Sequence, residues 1–268
     1  MKLFIDARGG IAGDMFTAAL ISAGANFESI RAAMLKAASK LGSAQISLHK
    51  TSENSTQLRI LLKSDRNHLR GSEAMEILTG LFNEFDIKEK YRAFGLKTAE
   101  ILLKAEIKAH RDYNIVIKGE SLNPHHHHSQ NNNNHHHKHE EESFLHEAQD
   151  IVIDIIGSVM GMQDLDIEPR AQLLSPVSVG GGTVDCSHGL LPVPAPAAKI
   201  VLDQYEIEWQ KGPLQVELST PTGVSILAAL DAKRHDSSAL EDKKVFAAGK
   251  SRGTKILDIP PLMIYLVQ

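Results

Sequence analysis

The densest concentration of chemistry-bearing residues lies between 125 and 139. There His125, His126, His127, His128, His135, His136, His137 and His139 flank four consecutive asparagines. Neutral imidazole is a good ligand for Ni(II), Cu(II) and Zn(II), and eight on one segment offer many equivalent pairings, so binding of such ions is expected. Selectivity is not, because affinity rises from nickel to copper and a floppy tract imposes no geometry to reverse that order. A low-complexity insertion with no selected role would share this composition. An expression tag does not fit an internal, interrupted run.

Three other stretches carry candidate groups. Directly after the tract, His146, Asp150 and Asp154 fall at i, i+4 and i+8, on one polar side of an expected helix, with Glu147 beside them. They could meet a cation or a substrate amine, or form a solvated face. Near the N-terminus, "DARGGIAGDM" delivers Asp6 from the end of an expected strand and Asp14 from the start of a helix. Between them Gly10 and Gly13 leave backbone N–H groups open to a phosphate or metal-phosphate, without the lysine of a Walker loop or a Rossmann fingerprint. The plainer alternative is a tight turn capped by Asp14.

In "VGGGTVDCSHGLLPVPAPA", Gly181 and Gly182 permit close backbone approach, and Cys186 and His188 are soft ligands two residues apart. One such pair is too few for a structural zinc site, and a lone cysteine is more often a small core residue. Pro192, Pro194 and Pro196 stiffen the extended segment that follows. "ELSTPTGVSILAAL" adds the hydroxyls of Ser219, Thr220 and Thr222 at a helix start, a second candidate anion site.

The surrounding periodicity supplies the elements that must position these groups. "LFID" reads as a buried strand, "DMFTAALISAGA" as a helix stopped near Gly24, and Phe27, Ile30, Met34, Ala37 and Leu41 as an apolar stripe behind an Asn26 cap. "QISLHK" and "QLRILLK" are expected strands around "TSENS", and residues 72–110 are expected to be helical. "DYNIVIKGE" reads as a strand, and "SFLHEAQDIVIDIIGSVMG" as a helix with Phe144, Ala148, Ile151, Val152, Ile155 and Val159 inward. Further strands are expected in "AQLLSPVSVG" and near 206, 246 and 264, with a helix over "TGVSILAALD". The fold class is therefore mixed α/β, with mixed sheets, packed helices and one disordered His-rich loop. The chain reads as one unit over 1–268. If it divides, the lobes are 1–119 and 144–268, joined by the loop 120–143.

Composition narrows the function classes. With 268 residues, 42% of them hydrophobic, and a formal net charge of −4, the chain can build a core but has no bulk charge for nucleic acid or an anionic membrane. Neither partner is expected. The single cysteine excludes an intramolecular disulfide, and "MKLFIDARGG" lacks the apolar centre of a signal peptide, so a cytoplasmic location is expected.

Taken in order, "DARGGIAGDM", "GGGTVDCSHGLLPVPAPA", "ELSTPTGVSILAAL" and "AAGKSRGTKILDIPP" resemble the LarC family of nickel-insertion proteins, which complete the nickel-pincer cofactor of lactate racemase. A His-rich insertion before a His-Glu helix also recurs in that family. The opening here, "HEAQD", is two residues shorter than the family's His-Glu-x-Gly-Ala-x-Asp, so Asp150 and Asp154 are alternatives for its aspartate. The resemblance implies a nickel chelatase that inserts Ni(II) into pyridinium-3,5-bisthiocarboxylic acid mononucleotide. It also implies consumption of CTP with a divalent ion in a smaller C-terminal domain, which this chain, ending at Gln268, is expected to lack and to receive from a partner. Apo-lactate racemase or another pincer enzyme would be the recipient, and an oligomer is expected. On this reading Asp6, Asp14, His146, Glu147 and His188 are the candidate catalytic groups. Gly10, Gly13, Gly181, Gly182, Thr220 and Thr222 would seat the ligand, and the eight tract histidines would collect the metal. The rival is a nickel storage protein or metallochaperone in which the tract is the whole function; a weaker third reading is a nucleotide-dependent phosphotransferase.

Overall fold

The structure, a computed structural model, describes residues 1–64, 68–113, 144–146, 148–186, 189–235, 240 and 243–268. The N-terminal strand β1 (Lys2–Asp6) leads through the glycine turn into α1 (Gly13–Ser22) and then α2 (Phe27–Ala38). As the sequence suggests, the Asn26 side chain caps α2, accepting from the Ser29 N–H at 3.0 Å, while Ile30, Met34 and Ala37 are buried. The hairpin β2 (Gly42–Lys50) and β3 (Thr56–Ser64) turns at Asn54, whose φ of 63° is in the left-handed region that asparagine tolerates.

The expected helical stretch is two helices, α3 (Gly71–Glu84) and α4 (Glu89–Tyr113), preceded by the short strand β4 (His68–Arg70). α4 runs through Tyr113, and the rest of "DYNIVIKGE" lies outside the described residues. The next elements correct an expectation. Phe144–His146 form a strand, β5, and the helix α5 (Ala148–Asp164) begins only after it. β5 pairs antiparallel with β4, Leu145 opposite Leu69. Cross-strand pairing outweighs the helical periodicity there, so His146 does not share a helix face with Asp150 and Asp154.

The remaining elements are β6 (Ala171–Leu173), β7 (Val177–Ser178), β8 (Thr183–Cys186), β9 (Gly189–Pro192), α6 (Pro196–Gln204), β10 (Trp209–Gln210), α7 (Pro221–Ala229), β11 (Lys233–Arg234), β12 (Val245–Ser251) and β13 (Leu262–Val267). A seven-stranded mixed sheet runs in the order β11-β6-β1-β13-β12-β3-β2, so strands from before and after the tract share it. β1 is parallel to β6 and antiparallel to β13, with Leu3, Phe4 and Ile5 all buried, as expected of a strand covered on both faces. α5 is buried along most of its length and packs against α1, α2, α3 and α4. A carboxylate on such a helix has to be accommodated by its neighbours, because water cannot reach it freely. No helix among the described residues is long and apolar enough to cross a membrane.

Candidate active site

Two loops carry the first groups of the site. Ile11 bridges in parallel to Ser219, the Ile11 N–H donates to Ser219 Oγ at 3.1 Å, and the Thr220 N–H donates to the Ile11 carbonyl at 3.0 Å. Gly10, at φ 87°, lies so close to Leu218 that a Cβ would stand 1.9 Å from its carbonyl oxygen. No residue with a side chain fits there. These contacts fix the starts of α1 and α7 side by side. Thr220 caps α7, its Oγ accepting from the Gly223 N–H at 3.2 Å.

Ala12 precedes α1 and offers no side-chain cap. A carboxylate from another helix supplies one: Asp154 of α5 accepts from the Asp14 N–H, and an added Cβ on Gly13 would lie 2.2 Å from Asp154 Oδ2. Asp154 is 4% exposed, and its Oδ1 has no hydrogen-bond partner among the described residues. One turn earlier on α5, Asp150 joins the same wall. Asp14 itself accepts from the Met15 N–H at 2.8 Å.

These three aspartates line an open cleft of about 930 Å³, mouth included. The first turns of α1, α6 and α7, α4 and the β8–β9 hairpin border it, and Glu106, Glu217, Cys186, Thr220 and Thr222 add to its polar lining. Among the described residues, no Lys, Arg or His lines it. The electrostatic result follows. Burial, reinforced by the charge of Asp150, pushes the Asp14 carboxyl up to about 7. Burial, then the charges of Asp150 and Asp14, raise Asp154 well above the carboxylate range. Neighbouring carboxyls around a buried Asp154 disfavour full ionisation, and a divalent cation can take the place of the protons they retain. Among the described residues, no three His, Cys, Asp or Glu groups already enclose a metal position.

The expected site residues separate into three groups. Asp14, Thr220 and Thr222 meet at this chamber, as do Asp150, Asp154 and Cys186. Asp6 lines neither this cleft nor its neighbour; it is paired with Arg8 at 2.6 Å and accepts from Ser175 Oγ at 2.9 Å. Gly181 and Gly182 pack against Gln215 instead of lining the chamber, and the Gly10 N–H is spent on the Ala7 carbonyl at 3.0 Å. His146 lies in β5. Glu147, His188 and the eight tract histidines lie outside the described residues. Glu106 and Glu217 were not singled out from the sequence; Glu217 stands three residues before Thr220 in the same stretch, which was the available signal.

The family model for the nickel insertion protein matches residues 3–116 and 117–267. The chain belongs to the nickel insertion protein family. Among its curated relatives, a putative nickel insertion protein of Methanothrix thermoacetophila is 32% identical over 85% of this chain and 49% of its own length. The pyridinium-3,5-bisthiocarboxylic acid mononucleotide nickel insertion protein of Staphylococcus saprophyticus is 26% identical over 96% of this chain and 57% of its own. A putative nickel insertion protein of Wolinella succinogenes is 30% identical over 98% and 59%. The chain thus spans about half the length of the curated relatives it matches. No solved structure matches it. Three of the stretches on which the resemblance rests meet at the acid chamber, beside α4 and α5: α1 opens in "DARGGIAGDM", α7 in "STPTG", and the β8–β9 hairpin and α6 lie in "TVDCSHGLLPVPAPA".

Proposed function

We propose that this chain is the nickel-handling and ligand-binding part of an enzyme that inserts Ni(II) into pyridinium-3,5-bisthiocarboxylic acid mononucleotide. The observation that carries the proposal is the acid chamber, where Asp14, Asp150, Glu106 and Glu217 line one cleft with a buried Asp154 whose Oδ1 has no partner among the described residues. Metallation of the ring exchanges one C–H bond for one C–Ni bond and releases a proton. The chamber suits both halves of that exchange. Asp150, Glu106 and Glu217 offer oxygen donors to the incoming cation, and Asp14, with a pKa close to ambient pH, is matched to accept the ring proton. Cys186 on the hairpin rim adds a soft donor at the same wall. The tract histidines raise local nickel supply but are not required for the chemistry. CTP with a divalent ion would act through the portion the longer relatives carry beyond the matched region, and the product would pass, in the cytoplasm, to lactate racemase or another pincer enzyme.

Storage by the tract alone leaves the chamber, with its buried Asp154, without a purpose. The test is maturation of apo-racemase by this chain with the pincer precursor, Ni(II), CTP and the C-terminal region of the Staphylococcus saprophyticus relative. Activation at saturating nickel that persists when the tract is deleted supports insertion. Nickel bound by the chain and never transferred to the precursor would leave the storage reading in its place.

A further inference from the structure

Beside the acid chamber lies a second cleft of about 700 Å³, mouth included, and the two share Ala12, Asp14, Glu217 and Thr220 as a common wall. Across that wall the charge reverses. Arg252 and Lys255 line the second cleft, whereas among the described residues no cationic side chain lines the first. Both belong to the loop that follows β12, and the stem of that loop is fixed on three sides. Ser251 Oγ donates to the Met15 carbonyl at 2.7 Å, the Arg252 N–H to the Thr56 carbonyl at 3.0 Å, and Gln57 Nε2 to the Gly253 carbonyl at 2.6 Å.

The loop is rich in donors that remain available. Glu53 accepts from Arg252 Nε and the Leu257 carbonyl from Nη1 at 3.4 Å, which orients the guanidinium while its other N–H groups have no acceptor among the described residues. Lys255 is exposed and makes no ion pair among the described residues. The backbone N–H groups of Gly253, Thr254 and Lys255 likewise have no protein acceptor among them. A planar fork, a point charge and a short run of backbone N–H groups are the donor set of a phosphate site. Glu217 on the shared wall disfavours an oxyanion on the chamber side, so an anion settles at the Arg252 end and a cation at the Asp154 end.

We infer that the second cleft binds the phosphate monoester of the pyridinium mononucleotide, so that the ribose spans the shared wall and the ring faces the acid chamber. The inference rests on the proposed function for the identity of the ligand. Its source among phosphate esters is the mononucleotide rather than CTP, because only a short molecule with phosphate at one end and metal-binding groups at the other uses both clefts at once.

The probes are nicotinic acid mononucleotide, the corresponding riboside without phosphate, CTP and inorganic phosphate, titrated calorimetrically into the intact chain. The mononucleotide should bind at least about tenfold more tightly than the riboside, and Lys255→Gln should remove about tenfold of that affinity while leaving riboside binding unchanged. Arg252→Gln should cost more, with partial recovery in Arg252→Lys. Because Arg252 also holds Glu53, the exposed Lys255 carries the decision if the Arg252 variants fail to fold. Equal affinity for mononucleotide and riboside, or a Lys255→Gln chain that binds the mononucleotide normally, would overturn the assignment. So would a loss confined to CTP. Nickel enters none of these titrations: Lys255-dependent mononucleotide binding without racemase maturation would sink the insertase reading alone, and maturation without Lys255-dependent binding would sink the phosphate site alone.

Discussion

Asp6 and Asp14 belong to one short motif, yet their surroundings drive their carboxyls in opposite directions. Burial would raise Asp6, but hydrogen bonds from the Arg8 side chain, the Ser175 hydroxyl and the Arg8 N–H, with the charge of Arg8, outweigh it and hold the pKa below the usual value. Burial raises Asp14 too, and there a neighbouring carboxylate adds to it while only backbone N–H groups oppose it. The difference separates two roles for a buried acid. Asp6, saturated with donors, ties β1 to Ser175; Asp14, short of donors, keeps free energy that a cation or a proton transfer can use.

The largest effect that would sharpen this contrast is on activity. Asp14→Asn should lower nickel transfer at saturating nickel by at least about 100-fold, the usual scale for losing a positioned proton acceptor, while metal capacity of the tract is kept. Single-turnover maturation assays would show it; an Asp14→Asn protein as active as the parent would break the contrast.

Next is stability, with opposite signs at the two sites. The folded pKa of Asp14, about 7, is above its ordinary 3.8, so between those values the folded chain binds more protons than the unfolded one. Stability of the metal-free protein should therefore fall as pH rises from about 4 to about 7, and Asp154 acts in the same direction. Asp154→Asn should stabilise the chain at pH 8, by on the order of 1–3 kcal/mol, read as a higher unfolding midpoint, and flatten that slope. Asp6 works the other way: its contribution is present above its ordinary pKa and is lost as pH falls through the lowered one. Asp6→Asn should destabilise by about 1–2 kcal/mol at pH 8, mostly through the Ser175 and backbone hydrogen bonds, because Arg8 is 60% exposed and solvent screens the ion pair. Thermal scans of the two variants across pH would contradict the account if both shifted the midpoint the same way.

The smallest effect concerns the shared wall. Thr220→Ala removes the cap of α7 and should cost about 1 kcal/mol, read as a small drop in the unfolding midpoint.

Much of this arrangement was legible from local chemistry. The strand–glycine loop–helix of "DARGGIAGDM", the Asn26 cap and the "TPTG" helix start are signals in which neighbouring residues decide the conformation, and all appear as expected. What was not legible depends on contacts distant in the chain. Pairing of Leu145 with Leu69 takes His146 off the helix, and Gly10 serves the approach of Leu218 where an anion cradle was expected. Glu106 had no signal, because on α4 it reads as one more polar position until α5, α7 and the β8–β9 hairpin are brought to the same cleft. The raised pKa of Asp154 has the same origin: a helix reads as amphipathic until neighbours pack on several sides and bury its polar positions too.

The central claim, that the chamber carboxyls hold a displaceable proton where nickel is received, is tested most directly by carbon NMR of labelled aspartate carboxyls, with Asp14→Asn assigning the signal. The account predicts that Asp14 titrates near 7 in the metal-free chain and loses its proton when Ni(II) is added at pH 6.5 to a variant lacking the tract histidines. An Asp14 signal that titrates near 4 and ignores nickel would contradict it.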